Sequence, residues 1–437
     1  MSGARAALAG AALVGFGSTL AAAQPFNVER PLVVVSGTPH GGARMARIDA
    51  SRRGMTGNQL PESGLHSEWQ TALGFVAQQG PLVDSLGRSY VVGESGEVVA
   101  LARDGAVLSR VLTRGSQPGP AALLSDDTVV FVDGAGEAVA VREGSVVWRR
   151  RFGRASGAHA APLALDDGGV VVASGPDLAV LDAGGRERSR VVLPEPTSHP
   201  LLSALGRVVA VSDTGTVWSW APGATHGDRV ATFGSDIDGS AALVDDHTLI
   251  GVAESQTRLI TVDLIRSTVA KVAGPLGGLW LGSPAVDVGG VVCATQITPG
   301  GEVAVAIDVS GVERGRALLS GPGRGPGPGK DSPRTGIASQ TPPIVDGNGL
   351  LAFATAGGSI GVVAGLVAPT DGATGRNAAV ELLADACAPS LRRTPADAAV
   401  VGMAPLPPSE LLAVCRSGLV VAVKGARATG DSGAPRL

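Results

Sequence analysis

Between residues 81 and 108, PLVDSLGRSYVVGESGEVVALARDGAVL, short apolar runs alternate with polar residues and are cut by glycine-containing turns. The run SGEVVALA at 95–102 is the clearest part, and it recurs. AGEAVAVR stands at 135–142, GPDLAVLD at 175–182, TGTVWSWA at 214–221 and QTRLITVD at 256–263. GGEVAVAI at 300–307, GGSIGVVA at 357–364 and SGLVVAVK at 417–424 complete eight copies. Most lie about 40 residues apart, with the widest gaps after the sixth and seventh. A proline with apolar followers precedes most copies, at Pro81, Pro120, Pro162, Pro200, Pro284, Pro343 and Pro405; the fifth copy has Ser240-Ala241-Ala242 instead.

Each unit therefore predicts four strands: one from the proline, a second such as SYVVG, the aligned run, and a closing strand such as REGSVVWRRRF. A four-stranded sheet has two faces to cover and cannot do so alone, so units of this length pack face to face around an axis. Helical solenoids share the period, but they need a 3.6-residue apolar spacing, and here the spacing is two. The pattern predicts an all-β fold, an eight-bladed β-propeller of antiparallel blades. Seven blades is the alternative, should the weak fifth unit be absorbed elsewhere. The last copy ends near Gly425 and ARATGDSGAPRL follows, leaving that blade one strand short. HSEWQTAL at 66–73, whose Trp69 resembles Trp148 of SVVWRRRF, is the strand expected to complete it. Closure of this kind joins the chain ends and removes exposed sheet edges.

The repeat resembles that of the pyrroloquinoline-quinone-like (quinoprotein alcohol dehydrogenase-like) propeller superfamily. The first unit carries the resemblance at Pro81, Asp84, Gly87, Tyr90, Val91, Gly96, Ala100, Leu101 and Gly105, and Trp148 supplies the closing tryptophan in the second. The superfamily holds quinone-dependent dehydrogenases and non-enzymatic propellers such as the scaffold lipoprotein of the outer-membrane β-barrel assembly machinery. The first class implies a disulfide of adjacent cysteines, a tryptophan under the quinone, a calcium or lanthanide held by Glu and Asn, and an Asp base. Cys293, Cys387 and Cys415 are far apart, and no such combination is found. No catalytic, cofactor-binding or metal residue is assigned, and no cofactor is expected.

Composition narrows partners and compartment. The chain has 437 residues, 17% charged, with 64 Gly and 29 Pro and a formal charge of −4, which fits strands and turns rather than disorder. Lysine occurs only at 271, 330 and 424, and no basic run suggests nucleic acid. Arg5, the apolar ALAGAALVGFG and Ala21-Ala22-Ala23 predict a signal peptide over 1–23, cleaved before Gln24, with a retained anchor as the alternative. The remaining boundaries follow: an N-terminal lead-in over 24–66, a propeller over 67–425 with insertions at 321–342 and 365–404, and a polar tail over 426–437. Within the lead-in, PLVVVSG could pair at an edge.

Other candidate chemistry reads as structure. Asp126-Asp127, Asp166-Asp167 and Asp245-Asp246 recur before second strands, where Asp closes turns on its own backbone; calcium is the alternative. Trp218 and Trp220 share one strand face, which fits inter-blade packing before a stacked ligand. His159 and His199 precede proline starts and could form a composite site. GPGRGPGPGKDSPRTG at 321–336 has Asp331 after Lys330 and four prolines, against the requirements of a phosphate loop. In an oxidising compartment a Cys387–Cys415 disulfide would staple the second insertion to the last blade, with Cys293 a buried free thiol. Together these features predict an exported, periplasmic or extracellular, monomeric propeller with no membrane span in the mature chain. It would hold an envelope protein partner through loops on one face. A quinone-dependent dehydrogenase or small-ligand sensor using the central funnel is the alternative.

Overall fold

In the computed structural model, eight four-stranded antiparallel sheets form an eight-bladed β-propeller, and one sheet gains a fifth, parallel strand. The described residues are 43–45, 48–114, 118–154, 160–272, 278–320, 341–355, 358–366, 379–383, 386–387 and 399–426. The signal peptide predicted over 1–23, PLVVVSG at 31–37, His159, the loop at 321–336 and all but Ala426 of the tail lie outside them.

Blade one shows how the repeat letters become structure. Its strands are Leu82–Val83, Ser89–Val92, Glu97–Leu101 and Val107–Leu112, numbered one to four from the axis outward. Asp84 closes the first turn: Oδ1 accepts the amides of Leu86 and Arg88, and Oδ2 accepts Arg88 Nε and the Tyr90 hydroxyl. Gly87, Gly96 and Gly105 each sit at a turn with φ between 78° and 84°, a region that costs an L side chain strain. Second and third strands are buried almost throughout, whereas the fourth alternates exposed and half-buried positions. Apolar burial therefore lies between blades, where each fully covered Val or Leu contributes about 1.5–3 kcal/mol.

All eight aligned runs carry third strands, from Glu97–Leu101 to Leu419–Lys424. Blade eight is closed by His66–Ala72, which pairs antiparallel with Leu419–Lys424 from His66 opposite Lys424 to Ala72 opposite Leu419. Trp69 then reaches across to blade one, donating Nε1–H to Arg103 O at 2.8 Å with its ring against Gly105. Trp148 does the same between blades two and three, through Ala183 O at 3.0 Å and Gly185.

One expected boundary changes. The segment 365–404, read as one insertion, contains the fourth strand of blade seven, Ala379–Leu383, and the start of the first strand of blade eight, Val400–Leu406. Polar, glycine-rich flanks had hidden a strand whose own alternation is short. The strand divides the segment in two: 365–378 lies in sequence between strands three and four, and 384–399 between blade seven and blade eight. Within the N-terminal lead-in, the described residues of 43–60 lie on the propeller axis, against the first strands of the blades.

Candidate functional site

The first strand of every blade is the innermost of its four, with N–H groups facing the axis and no further strand of the blade to receive them. Such buried donors need partners. Residues 43–54 supply them. Val83 N–H of blade one donates to Ala43 O at 2.8 Å, and Leu123 N–H of blade two to Arg44 O at 2.7 Å. Ser203 of blade four donates to Ala50 O, Leu243 of blade five to Ser51 O, Val286 of blade six to Arg53 O and Val345 of blade seven to Gly54 O, at 2.8–3.1 Å. The contacts advance around the ring in chain order, one blade for each one or two residues at most steps. Met55–Thr56 then runs parallel to the first strand of blade seven.

Arginines complete the belt by taking carbonyls. Arg52, wholly buried, donates Nε–H to Leu201 O at 2.9 Å and Nη2–H to Pro162 O at 2.8 Å and Ala161 O at 3.3 Å, bridging blades three and four. Desolvation lowers its pKa to about 10, against the raising influence of Asp49, so it stays charged at neutral pH. Arg44 donates to Leu124 O at 2.6 Å and Arg53 to Leu243 O at 3.0 Å. Leu60 N–H donates to Asp346 Oδ2 at 3.1 Å, after which the chain leaves the axis toward blade eight.

At that exit lies a cleft of about 750 Å³ between blades eight and one, on the face bearing the turns between strands one and two and between three and four. Its charges face one another: Lys424 Nζ is 3.1 Å from Glu68 and 3.6 Å from Glu410, and Arg103 is 3.4 Å from Glu410.

The singled-out residues are dispersed. Pro81, Gly87, Tyr90 and Gly96 lie within blade one, and Trp69 and Trp148 at separate blade seams. Asp126, Asp167 and Asp245 each accept a backbone amide two residues on, as turn-closing carboxylates do. The Arg188 guanidinium on Asp167 holds that carboxyl below its usual range. Trp218 and Trp220 are buried in one apolar cluster with blade three; Trp220 Nε1–H donates to Ala224 O, while Trp218 Nε1 is buried with no acceptor among the described residues. His199 has Nδ1 2.8 Å from Gly239 O and Nε2 3.0 Å from Asp236, a link between blades four and five. Cys387 and Cys415 are bonded, with Cα atoms 5.6 Å apart, while Cys293 is a buried thiol whose pKa burial pushes up. Among the described residues no group of three or more His, Cys, Asp or Glu is arranged to hold a metal. No helix among them is long and apolar enough to cross a membrane.

The belt was missed by sequence reasoning. ARMARIDASRRGMTGNQL at 43–60 has neither strand alternation nor a turn motif. Its one signal was position: it immediately precedes the closing strand, so a path across the axis was open to it. A quinone does not fit this centre, because the belt backbone and the Arg52 side chain stand where an axial ligand would bind, and no adjacent cysteines exist.

A family model described as "Outer membrane protein assembly factor BamB" matches residues 94–377. No curated protein matches the chain. Among solved structures, BamB from Moraxella catarrhalis is 17% identical with a TM-score of 0.51, covering 83% of this chain and 98% of that one. The computationally designed Ika8 protein is 14% identical with a TM-score of 0.57, covering 84% and 98%. Quinohemoprotein alcohol dehydrogenase from Comamonas testosteroni is 11% identical with a TM-score of 0.58, covering 90% and 82%. At these identities the structural likeness speaks for the propeller fold.

Proposed function

The chain belongs to the outer membrane protein assembly factor BamB family, and from that premise we propose that it is a non-catalytic scaffold propeller of the cell envelope. It is exported by the signal peptide at 1–23 and works in the periplasm or outside the cell, binding a protein engaged in outer-membrane assembly. The observation that carries this reading is the filled axis. A propeller enzyme or sensor of this superfamily would need its centre for a ligand, and here backbone carbonyls and three arginines occupy it. What remains for recognition is the periphery and the two faces.

Of the two faces, the one bearing the inter-blade connections is favoured. The strands Glu313–Ser320 of blade six and Ala379–Leu383 of blade seven both end at that face, and the Cys387–Cys415 bond ties the chain after the second to blade eight. Binding residues concentrate on loops held by a rigid scaffold. The opposite face carries the exit of the belt and a cleft in which Lys424 and Arg103 are paired with Glu68 and Glu410.

Photo-crosslinkers placed on each face, followed by affinity capture from envelope extracts, test the proposal. An outer-membrane assembly protein is expected from the connection face, with loss of capture when both connections are shortened. Equal capture by the shortened form would overturn the loop platform. Oxidation of an alcohol or sugar by protein reconstituted with quinone and calcium would overturn the non-catalytic reading.

A further inference from the structure

We infer that the inner rim of this propeller is a binding site for an extended polypeptide, and that residues 43–60 are its resident ligand, held in cis. The site is defined by the blades: one axis-facing N–H from each of Val83, Leu123, Ser203, Leu243, Val286 and Val345. In four of these, Val83, Leu123, Leu243 and Val286, the donor is the last residue of the first strand, and in Ser203 and Val345 it is the next to last, so the donors form a ring near one level of the axis. A ring of amides facing inward has one chemical complement, a chain of carbonyls spaced to follow it. An extended polypeptide provides that, and a compact small molecule cannot reach six blades at once.

The resident segment has the features such a ligand needs. Ala43, Ala50, Ser51 and Gly54 present carbonyls at positions with little or no side chain, so the backbone can come close to the rim. Ile48, Arg52 and Gly54 take positive φ values of 77°, 56° and 65°, bending the segment around the axis. No belt carbonyl among the described residues is paired with a blade-three amide; there Arg52 takes the carbonyls of Ala161 and Pro162 instead. Recognition is thus backbone-wide with three side-chain anchors, Arg44, Arg52 and Arg53, of which only Arg52 bridges two blades, the arrangement of a peptide ligand added to a sheet edge. Glu62, Ser63 and Gly64 lie exposed between the belt and the closing strand, so the ligand is joined to its site by an accessible tether.

The test uses the full chain with a protease site placed at residues 62–64. After cleavage of the folded protein, the released arm is expected to co-elute with the propeller. A labelled synthetic peptide of residues 43–60 should exchange into the site, and the same peptide with Arg52→Ala should bind at least tenfold more weakly. Amide exchange at the six rim residues should accelerate when the arm is washed out and slow again on peptide addition. Loss of the arm without faster rim exchange, or equal binding of the two peptides, overturns the inference. Should the cleaved protein unfold, uncut Arg52→Ala supplies the second measurement. Faster exchange confined to the rim supports the site, and unchanged rim exchange overturns it. Partner capture is not read out here, so failure of this inference and failure of the scaffold reading are distinguishable.

Discussion

At the scale of single residues, the repeat letters divide into those that shape a turn and those that accept a neighbour. Gly105 does both: its φ is +84°, and a Cβ added there would lie 2.5 Å from the Trp69 ring. Gly74 has φ +80° but nothing within 4 Å of an added Cβ. Both Gly→Ala changes pay the backbone strain, of about 1–3 kcal/mol, and only Gly105→Ala also displaces the tryptophan that joins blades eight and one. Urea denaturation should therefore place Gly105→Ala below Gly74→Ala by about 1–3 kcal/mol, the usual cost of overpacking. Equal midpoints would show that the Trp69 contact yields freely. The role of Asp84 and Gly87 in this motif was legible from the sequence because turn chemistry is local. Arg52 was not, since its three carbonyl acceptors stand 109 to 149 residues away and no short pattern announces them.

At the scale of elements, period two between glycine turns was enough to locate all eight third strands and the closing strand at His66–Ala72. It failed at Ala379–Leu383, where five residues are flanked by glycine and proline and the fourth strand of a blade has only one partner to enforce its pattern. That strand separates two connections, and the covalent tie falls on the second. Cys387 and Cys415 are 28 residues apart, for which the chain-entropy model gives about 3–4 kcal/mol, strain aside. Reduction should lower the melting temperature by several degrees, and Cys415→Ala should melt close to reduced wild type rather than to oxidised wild type. Peptide mapping without reductant should recover the 387–415 pair, and any pair containing Cys293 would contradict the assignment. Because Cys293 is fully buried with its thiol pKa raised, it should resist alkylation until the protein unfolds.

At the scale of the whole molecule, the chain closes itself twice, once at the rim of blade eight and once on the axis, and both closures are drawn from the first 72 residues. The ring was legible because each blade repeats the same signal. The axial belt was not, because a segment that meets each blade only once has no period to read. The two closures make separable demands. Removing residues 24–75 takes away the belt and the closing strand, exposing the whole edge of Leu419–Lys424, an edge available for pairing with another chain. Removing residues 24–60 leaves His66–Ala72 in place and takes away the acceptors of the rim amides together with the three arginines and the buried side chains of the belt. Six buried donors losing partners, at about 1 kcal/mol or more each before solvent enters the channel, should lower stability sharply while the ring stays closed. The longer deletion should therefore aggregate. The shorter one should stay soluble in light scattering, with an earlier melt that added 43–60 peptide partly restores. If the shorter deletion melts like the full chain, the axial hydrogen bonds are replaced by water at no cost and the belt is a passenger. If the longer deletion remains monodisperse, blade eight does not depend on its N-terminal strand.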